Sequence, residues 1–217
     1  MSEENRKTLA TYDMAAQKYL DNSKAHDALN PEKAKRKQAK LEANLERCFG
    51  TLPEGARILE AGAADGDNSV FLKSLGYDMI ATDVAPAFIA ALKARGLNTQ
   101  KFNLLEDDFP ENLYGVLSWR VFVHFTHTDI ELALKRVYDA LETGGRFVFN
   151  VIDIATHDVP EQWVDFSDEY KMGAERYYAY YTEEEILDII AQTKFKIVET
   201  WHEEGGHNNW FVFVLEK

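Results

Sequence analysis

The sequence predicts an α/β fold in which a mostly parallel sheet of seven strands is flanked by helices and covered by an N-terminal helical cap. Two apolar runs, residues 58–60 and 79–83, each end in an acidic residue and are typical of buried strands. A turn of small residues and a short helical stretch lie between these runs, which predicts a β-α-β unit. Residues 2–49 are polar, favour helix and lack strand signals, so we assign them to the cap.

Size and charge restrict the class of protein. The chain has 217 residues, of which 46% are hydrophobic, and this is enough to bury the core of one α/β domain. The formal net charge of -13 makes the phosphate backbone of nucleic acid an unfavourable partner, so we expect no nucleic-acid substrate. No run approaches the ~18 apolar residues that span a bilayer, and the polar N-terminus does not resemble a signal peptide. We therefore expect no membrane association.

Cys48 is the single cysteine, which excludes an intrachain disulfide and suits a reducing cytoplasm. We expect its thiol to be a small buried apolar group rather than a nucleophile. The expected location of the protein is therefore cytoplasmic.

The predicted cap consists of two helices that are separated at Asn30-Pro31, because proline suits the first turn of a helix. We expect residues 1–49 to form part of the same domain as residues 50–217. Within Glu32 to Cys48, the second helix carries a run of four lysines and one arginine over residues 33–40. Such a run is typical of a solvated helix face, and a cationic surface for an anionic substrate is the alternative.

The turn after the first strand reads Glu60-Ala-Gly62-Ala-Ala64-Asp-Gly66. Glycine adopts a positive φ at little cost and lets the backbone pass close to a ligand. A dinucleotide site usually has Gly-x-Gly-x-x-Gly instead, with a pyrophosphate at the helix N-terminus. The carboxylates of Glu60 and Asp67 would repel a pyrophosphate, but they would attract an ammonium or sulfonium group. S-adenosylmethionine carries both of these cations.

Asp83 ends the second strand, roughly 20 residues after the turn, where a carboxylate accepts hydrogen bonds from both ribose hydroxyls. An acidic side chain at this place disfavours a 2′-phosphate, so NADP is an unlikely ligand. We expect Asp83 to hold the ribose and the neighbouring Val84 to line the adenine face.

The residues from Arg57 to Asp83 resemble the first two motifs of class I S-adenosylmethionine-dependent methyltransferases, whose first motif reads acidic-x-Gly-x-Gly-x-Gly. Ala64 replaces the middle glycine and adds one methyl group to the turn. The resemblance covers roughly residues 57–217. It implies a Rossmann-like fold, S-adenosylmethionine as cofactor and S-adenosylhomocysteine as product.

A second resemblance lies in the first helix, where residues 11–19 read Thr-Tyr-Asp-Met-Ala-Ala-Gln-Lys-Tyr. This segment is similar to the Tyr-Asp-x-x-Ala-x-x-Tyr opening of many small-molecule methyltransferases, which folds over the cofactor pocket. The resemblance implies that Tyr12 and Tyr19 contact the cofactor. The two side chains share one helical face, and packing in the core explains that spacing equally well.

The next elements follow from local signals. A helix begins near Pro86 and ends at Gly96, and a short strand spans Thr99 to Phe102. By resemblance, Asn103 and Leu104 after this strand form the rim of the adenine site. An apolar strand is predicted for residues 114–119.

Two capping boxes predict the later helices. Thr128–Glu131 begins a helix to about Leu141, and Thr182–Glu185 begins a helix to about Gln192. A turn at Glu142–Gly145 precedes a strand from Arg146 to Ile152. The alternating segments Lys196–His202 and Trp210–Leu215 predict a final antiparallel pair, joined through a turn at Gly205-Gly206.

Three residues at or after the end of the fourth strand are candidates for chemistry at the methyl acceptor. His124 is the candidate general base because it titrates near neutral pH, and a structural histidine is the alternative. Arg120 is the candidate partner of a substrate or cofactor carboxylate, with a surface ion pair as the alternative. Trp119 is expected to form a pocket wall. The histidines lack the spacing of metal ligands, so we expect no metal.

Aromatic residues crowd the segment between the fifth strand and the following helix. We expect this segment to form a lid over an apolar acceptor, with Tyr178 as an acceptor contact, and a local hydrophobic cluster is the alternative. The aromatic residues are Trp163, Phe166, Tyr170, Tyr177, Tyr178, Tyr180 and Tyr181.

These features predict a methyltransferase that moves a methyl group from S-adenosylmethionine to an oxygen or nitrogen atom of a small-molecule acceptor. Proximity and orientation are expected to supply most of the catalysis. The oligomeric state is expected to be a monomer or a homodimer. The alternatives are an NAD-type oxidoreductase or sugar-nucleotide enzyme, and a noncatalytic binding protein that keeps the fold.

Overall fold

The computed structural model describes residues 1–165, 175–205 and 208–217. The helices in these ranges are α1 (Glu3–Leu29), α2 (Pro31–Phe49), α3 (Asp67–Ser74), α4 (Pro86–Ala94), α5 (His127–Ala140) and α6 (Glu183–Ala191). The strands are β1 (Arg57–Ala61), β2 (Asp78–Asp83), β3 (Asn98–Lys101), β4 (Leu113–Ser118), β5 (Leu141–Asp153), β6 (Glu161–Asp165), β7 (Glu175–Tyr181), β8 (Lys196–Glu203) and β9 (Trp210–Glu216).

The strands form one sheet that begins in the order β3-β2-β1-β4-β5, and the neighbouring strands of this part are parallel. β9 is antiparallel to β5, and β8 is antiparallel to β9. The predicted α/β fold with a mostly parallel sheet, flanking helices and N-terminal helices is confirmed. Because β1, β2 and β4 run in the same direction, their carboxyl ends meet at one edge of the sheet, where ligands bind in open α/β sheets.

The described residues contain nine strands rather than the predicted seven, because the aromatic segment contributes the hairpin β6–β7. β7 pairs in parallel with the end of β5, through Ile152↔Tyr180 and Asp153↔Tyr181. On the other edge of β5, Ile152 pairs with Trp210 of β9. β7 therefore lies on the same edge of β5 as β4, which pairs with an earlier part of that strand. The hairpin therefore lies beyond the carboxyl end of β4. Phe166 and Tyr170 lie outside the described residues.

Strand β5 is buried on both faces, as the central strand of a covered parallel sheet should be. Phe147 and Phe149 pack with Phe122 on one face, whereas Val148 packs on the other face with Leu45 and other residues of the second cluster. Helix α2 contributes to that second cluster through its last turn. The sheet is thus a rigid support for the loops at its carboxyl edge.

Helix α1 is fastened to the hairpin and does not stand apart from the sheet. The Thr11 hydroxyl donates to the Glu175 carbonyl at 2.8 Å, and the Tyr177 amide donates to Thr8 Oγ1 at 3.0 Å. The break between α1 and α2 falls at Asn30-Pro31, where the sequence predicts it. The first half of α1 is thereby held over the carboxyl edge of the sheet.

Several predicted boundaries differ from the structure. The cap of α5 is Thr126, whose hydroxyl accepts from the Asp129 amide, so the predicted capping box at Thr128–Glu131 is wrong. β5 begins at Leu141 and includes the predicted turn at 142–145 as an irregularity, with Gly144 at φ 78°. The capping box at Thr182 is confirmed.

The last antiparallel pair is confirmed as β8 and β9. Of its predicted turn, Gly206 lies outside the described residues. Among the helices that the structure describes, none combines the length and the apolar character that a membrane span requires.

Candidate functional site

The loop between β1 and α3 needs glycine at two positions. Gly62 has a φ of 76°, and a Cβ atom there would collide with the side chain of Val121. Gly66 has a φ of 84°, and a Cβ atom would lie 2.6 Å from Leu92 Cδ2. Ala64, in the place of the middle glycine, also has a positive φ, of 47°. Alanine tolerates this left-handed conformation at a cost of about 1 kcal/mol.

Asp83 at the end of β2 ties this loop to helix α4. Its Oδ2 accepts from the Ala64 amide at 3.0 Å, and its Oδ1 accepts from the amides of Val84 and Ala85 at 2.7 and 3.2 Å. Burial raises the pKa of Asp83 to about 6, and the three amide donors oppose that rise. The carboxylate therefore organises the loop in addition to facing the cavity beside it.

Glu60 at the end of β1 is buried beneath the same loop. Its oxygens accept from Asn68 Nδ2 at 2.6 Å and from Ser69 Oγ at 2.5 Å, both from α3. Burial raises the pKa of Glu60 to about 7. A cation next to this carboxyl group would favour its ionised form.

A cavity opens at the carboxyl edge of the sheet, between the loop, helix α1 and the turn at 122–124. Its walls come from segments that are far apart in the sequence. The lining residues are Asn5, Thr8, Leu9, Tyr12, Tyr19, Glu60, Ala61, Gly62, Ala63, Ala64, Asp65, Asn68, Asp83, Val84, Phe88, Phe102, Asn103, Leu104, Trp119, Arg120, Val121, His124 and Phe125.

The cavity brings together the predicted site residues with two exceptions. Gly66 does not line the cavity but packs against Leu92. Tyr178 does not line it either, and its ring lies 4.8 Å from the ring of His124. Tyr12 and Tyr19 both line it, as their shared helical face predicts. Their roles toward a ligand stay predictions.

Asn103 and Arg120 lie at the rim with partners of their own. The Asn103 side chain accepts from the Leu105 amide at 3.0 Å and contacts Met1 Sδ at 3.4 Å. Arg120 has a positive φ of 62°, and its amide donates to Asn150 Oδ1 at 2.6 Å. Its guanidinium is exposed and lies 5.2 Å from the centre of the Trp210 ring. Among the described residues, no carboxylate forms an ion pair with the Arg120 guanidinium, which is therefore available to a ligand.

One wall of the site is a chain of hydrogen bonds from three elements. The Tyr12 hydroxyl lies 3.0 Å from His124 Nε2, and the Arg176 guanidinium donates to the same hydroxyl. His124 Nδ1 lies 2.7 Å from the Tyr177 carbonyl. Burial, assisted by the charge of Arg176, lowers the pKa of His124 to about 3. His124 is therefore neutral near pH 7.

Sequence reasoning missed Arg176 and the α1 residues Asn5 and Thr8. Asn5, Thr8 and Tyr12 are spaced by three and four residues, so extending the helical face of Tyr12 toward the N-terminus would have found them. No local signal distinguishes Arg176, because it reaches the site through the pairing of β7 with the end of β5.

Two further observations concern Cys48 and possible metal ligands. Cys48 is buried, and burial raises the pKa of its thiol to about 12, which removes its nucleophilic form at neutral pH. Among the residues that the structure describes, no three histidine, cysteine, aspartate or glutamate side chains come together as metal ligands.

The cavity suits a nucleoside that carries positive charge. The glycine loop lines the cavity together with the carboxyl groups of Glu60, Asp65 and Asp83. Carboxylates at this edge would repel a phosphate group and attract an ammonium or sulfonium group. The residues present therefore fit S-adenosylmethionine.

Comparison with known proteins supports this fit. A family model described as a methyltransferase domain matches residues 34–200. No curated protein sequence is significantly similar to the chain. A solved S-adenosylmethionine-dependent methyltransferase from Methanosarcina mazei is 17% identical over 77% of this chain and 95% of its own, with a TM-score of 0.67.

Two further solved structures were determined with ligands. The 1,6-didemethyltoxoflavin-N1-methyltransferase of Burkholderia thailandensis, with its acceptor and S-adenosylhomocysteine, is 20% identical over 94% of this chain and 88% of its own, with a TM-score of 0.63. The magnesium protoporphyrin IX methyltransferase of Synechocystis, with S-adenosylmethionine, is 12% identical over 83% and 79%, with a TM-score of 0.62. Together with the match over residues 34–200, the fold and the loop geometry show that the chain belongs to the methyltransferase-domain family of class I S-adenosylmethionine-dependent enzymes.

Proposed function

We propose that the chain transfers the methyl group of S-adenosylmethionine to a nitrogen or oxygen atom of a small organic acceptor. One observation carries the proposal: a single cavity is lined both by the glycine loop with Asp83 and by Tyr12 and His124. The glycine loop and Asp83 suit the cofactor, and we assign the residues around His124 to the acceptor.

The cofactor end is assigned to residues of the loop and of the next two strand ends. Glu60 and the backbone at Gly62 and Ala64 would hold the methionine part, and Asp83 the ribose. Val84, Asn103 and Leu104 would surround the adenine, and Trp119, Tyr12 and Tyr19 would close the cavity. The position of these residues in the lining of the cavity supports the assignment.

Bound S-adenosylmethionine supplies a methyl group that the positive charge on sulfur has already activated. The remaining task of the chain is to hold an acceptor lone pair in line and to exclude water. The buried wall and the fastened helix α1 serve this purpose. Arg120 is proposed to orient an acidic group of the acceptor, and His124 and Tyr178 to shape its binding surface.

Two neighbours support a small organic acceptor, since their own names state one. The Burkholderia protein is an N1-methyltransferase of 1,6-didemethyltoxoflavin, and the Synechocystis protein acts on magnesium protoporphyrin IX. The cavity disfavours an NAD-type oxidoreductase, because three carboxyl groups lie beside the loop where a pyrophosphate would bind.

The wider assignments are also proposals. Residues 1–49 are proposed as a cap within one domain with residues 50–217, supported by the bonds from Thr8 and Thr11 to β7. A cytoplasmic location, a monomeric or homodimeric state and the lack of a nucleic-acid partner remain predictions from composition.

Isothermal titration calorimetry with S-adenosylmethionine and with NAD tests the cofactor. We expect S-adenosylmethionine and S-adenosylhomocysteine to bind and NAD to give no heat. A labelled methyl group is then offered to a panel of aryl amines, phenols and carboxylic acids, with extraction of labelled product as the readout. Binding of NAD with no response to either S-adenosyl compound would falsify the proposal.

A further inference from the structure

The backbone just after strand β4 has an uncommon conformation. Arg120, two residues beyond the end of the strand, has a φ of 62°. Residues with a Cβ atom adopt this left-handed region rarely. Among the described residues other than glycine, only Ala64, Asn112 and Arg120 have a positive φ. Ala64 and Arg120 both line the cavity, and strained backbone of this kind concentrates at functional sites.

The side chain that holds this conformation is Asn150 of β5. Its Oδ1 accepts a hydrogen bond from the Arg120 amide at 2.6 Å. Asn150 is 1% exposed and is the single polar residue in the run from Phe147 to Ile152. Asparagine is depleted in strands, and a buried amide group needs a hydrogen-bond partner. The side chain at 150 therefore has a specific partner in the backbone of Arg120.

The strand register explains how this bond ends the pairing of β4 with β5. Ser118, the last residue of β4, pairs in parallel with Phe149, so Asn150 is next in line for the residues that follow. Its side-chain carbonyl accepts from the Arg120 amide as a main-chain carbonyl would in a continued ladder. The chain then enters the short helical turn Phe122–His124. The bond thus fixes the place where the strand gives way to the loop at the cavity.

The backbone conformation of Arg120 also decides where its guanidinium lies. The residue lines the cavity, and its Cζ lies 5.2 Å from the centre of the Trp210 ring, which is a cation–π contact. Burial raises the pKa of Tyr178, and the charge of Arg120 is among the effects that oppose this rise. Because Asn150 holds the amide of Arg120, a change to a negative φ would turn the Cβ atom and carry the guanidinium away from Trp210.

We propose that Asn150 is a positioning residue that holds the Arg120 backbone in its left-handed conformation and thereby makes the cavity selective for an acceptor that carries a carboxylate. A guanidinium binds a carboxylate through two parallel N–H donors, so its direction matters as well as its charge. Asn150 is not among the residues that line the cavity, and it acts through Arg120. The inference rests on the proposed function, in which Arg120 orients an acidic group of the acceptor.

Two probes of nearly the same shape test the selectivity. The protein saturated with S-adenosylhomocysteine is titrated in a calorimeter with benzoate and with benzamide. We expect the parent protein to bind benzoate about 10-fold or more tightly, because only the carboxylate forms a charge-assisted pair with Arg120. Arg120→Met and Asn150→Ala should each reduce this preference to within about 3-fold. Equal affinities in the parent protein, or no heat from either probe, overturn the inference.

A double variant tests whether Asn150 acts through Arg120. If it does, Asn150→Ala has no further effect on the preference once Arg120→Met is present, so the two effects are not additive. Additive losses overturn the inference. Val148→Ala is the matched control, because Val148 is buried on the same face of β5, two residues before Asn150. It should keep the preference of the parent protein, and an equal loss in this control overturns the inference.

The position of Arg120 has a readout that needs no ligand. The four tryptophans are labelled with fluorotryptophan, and the fluorine NMR signal of Trp210 is identified by its loss in Trp210→Phe. Arg120→Met removes the cation from this ring and is expected to shift the signal. Asn150→Ala should shift it in the same direction, and Val148→Ala should leave it in place. An unmoved signal in Asn150→Ala overturns the inference.

The failure of this inference can be told apart from the failure of the proposed function. The circular dichroism spectrum and the affinity for S-adenosylhomocysteine show whether each variant is folded. If the parent protein does not bind S-adenosylhomocysteine, the proposed function fails and the inference fails with it. If it binds, and the benzoate preference or the shift of the Trp210 signal is missing, this inference alone fails.

Discussion

Two parts of the site, which we call the cofactor end and the acceptor wall, are built in different ways. The cofactor end comes from one continuous stretch, residues 60–85, in which a backbone loop is tied to Asp83 by a hydrogen bond from the Ala64 amide. The acceptor wall joins side chains at positions 12, 124 and 176, which only the tertiary fold brings together. The first end depends on backbone conformation, and the second depends on the protonation and direction of side-chain groups.

Removing Asp83 should break the cofactor end, with the largest effect. Asp83→Ala leaves the amides of Ala64, Val84 and Ala85 without their acceptor. We expect a loss of about 2–4 kcal/mol in the free energy of unfolding and a fall of about 100-fold or more in affinity for S-adenosylmethionine. Urea denaturation and calorimetry measure the two effects.

A matched control lies at the other end of the same strand. Asp78 is exposed and pairs with Arg57 at 2.7 Å, and exposed ion pairs contribute about 0–1 kcal/mol. Asp78→Ala should therefore leave cofactor affinity unchanged. If both variants behave alike, Asp83 has no specific role in the loop.

Tyr12→Phe should break the acceptor wall and spare the cofactor end. His124 Nε2 loses its donor and Arg176 its acceptor, so we expect a loss of about 1–2 kcal/mol in stability and of about 100-fold in kcat. The dissociation constant of S-adenosylmethionine should change by less than about 3-fold. Stopped-time assays with labelled cofactor and calorimetry separate these quantities.

The control for Tyr12 is a partly buried tyrosine hydrogen bond outside the cavity. The Tyr77 hydroxyl donates to the Phe49 carbonyl at 2.7 Å, so Tyr77→Phe has a comparable stability cost. It should not lower kcat. An equal fall in kcat for both variants would show that Tyr12 acts through general stability alone.

The same contrast explains what the sequence predicts and what it does not. The glycine loop, Asp83 and the parallel strands follow from local patterns, because β1, α3 and β2 are adjacent in the chain. Arg176 carries no such signal, since its place depends on two pairs between β7 and the end of β5. His124 lines the cavity, but its low pKa comes from burial, which a motif does not encode.

The pH dependence of stability should have opposite signs at the two ends. The pKa of Glu60 is raised from 4.5 to about 7, so the folded protein binds a proton that the unfolded chain releases, and this stability is lost as pH rises through about 7. The pKa of His124 is lowered from 6.5 to about 3, so stability is lost as pH falls below 6.5.

Two variants separate these contributions in thermal or urea unfolding between about pH 4 and about pH 8. Glu60→Gln should flatten the fall of stability above pH 4.5, and His124→Gln should flatten the fall below pH 6.5. Both variants carry an amide that does not titrate. The free energy of unfolding of each variant is therefore compared with that of the parent protein at each pH. Parallel curves for parent and variant would contradict the assigned shift.

The smallest expected effect concerns Ala64, where the cofactor loop departs from glycine. Its φ of 47° costs an alanine about 1 kcal/mol, whereas a glycine there gives back about 0.4–1 kcal/mol through the greater entropy of the unfolded chain. Ala64→Gly should therefore raise the free energy of unfolding by less than about 1 kcal/mol and leave the Asp83 hydrogen bond to its amide in place.

The neighbouring Ala63 is the matched comparison, because it is buried and is not among the residues with positive φ. Ala63→Gly should lower the free energy of unfolding by about 0.5–1 kcal/mol, opposite in sign to Ala64→Gly. Differential scanning calorimetry of the two variants with and without S-adenosylhomocysteine measures both signs. If both substitutions destabilise the protein equally, the backbone at Ala64 is not strained, and the cofactor end tolerates alanine because its conformation there is an ordinary one.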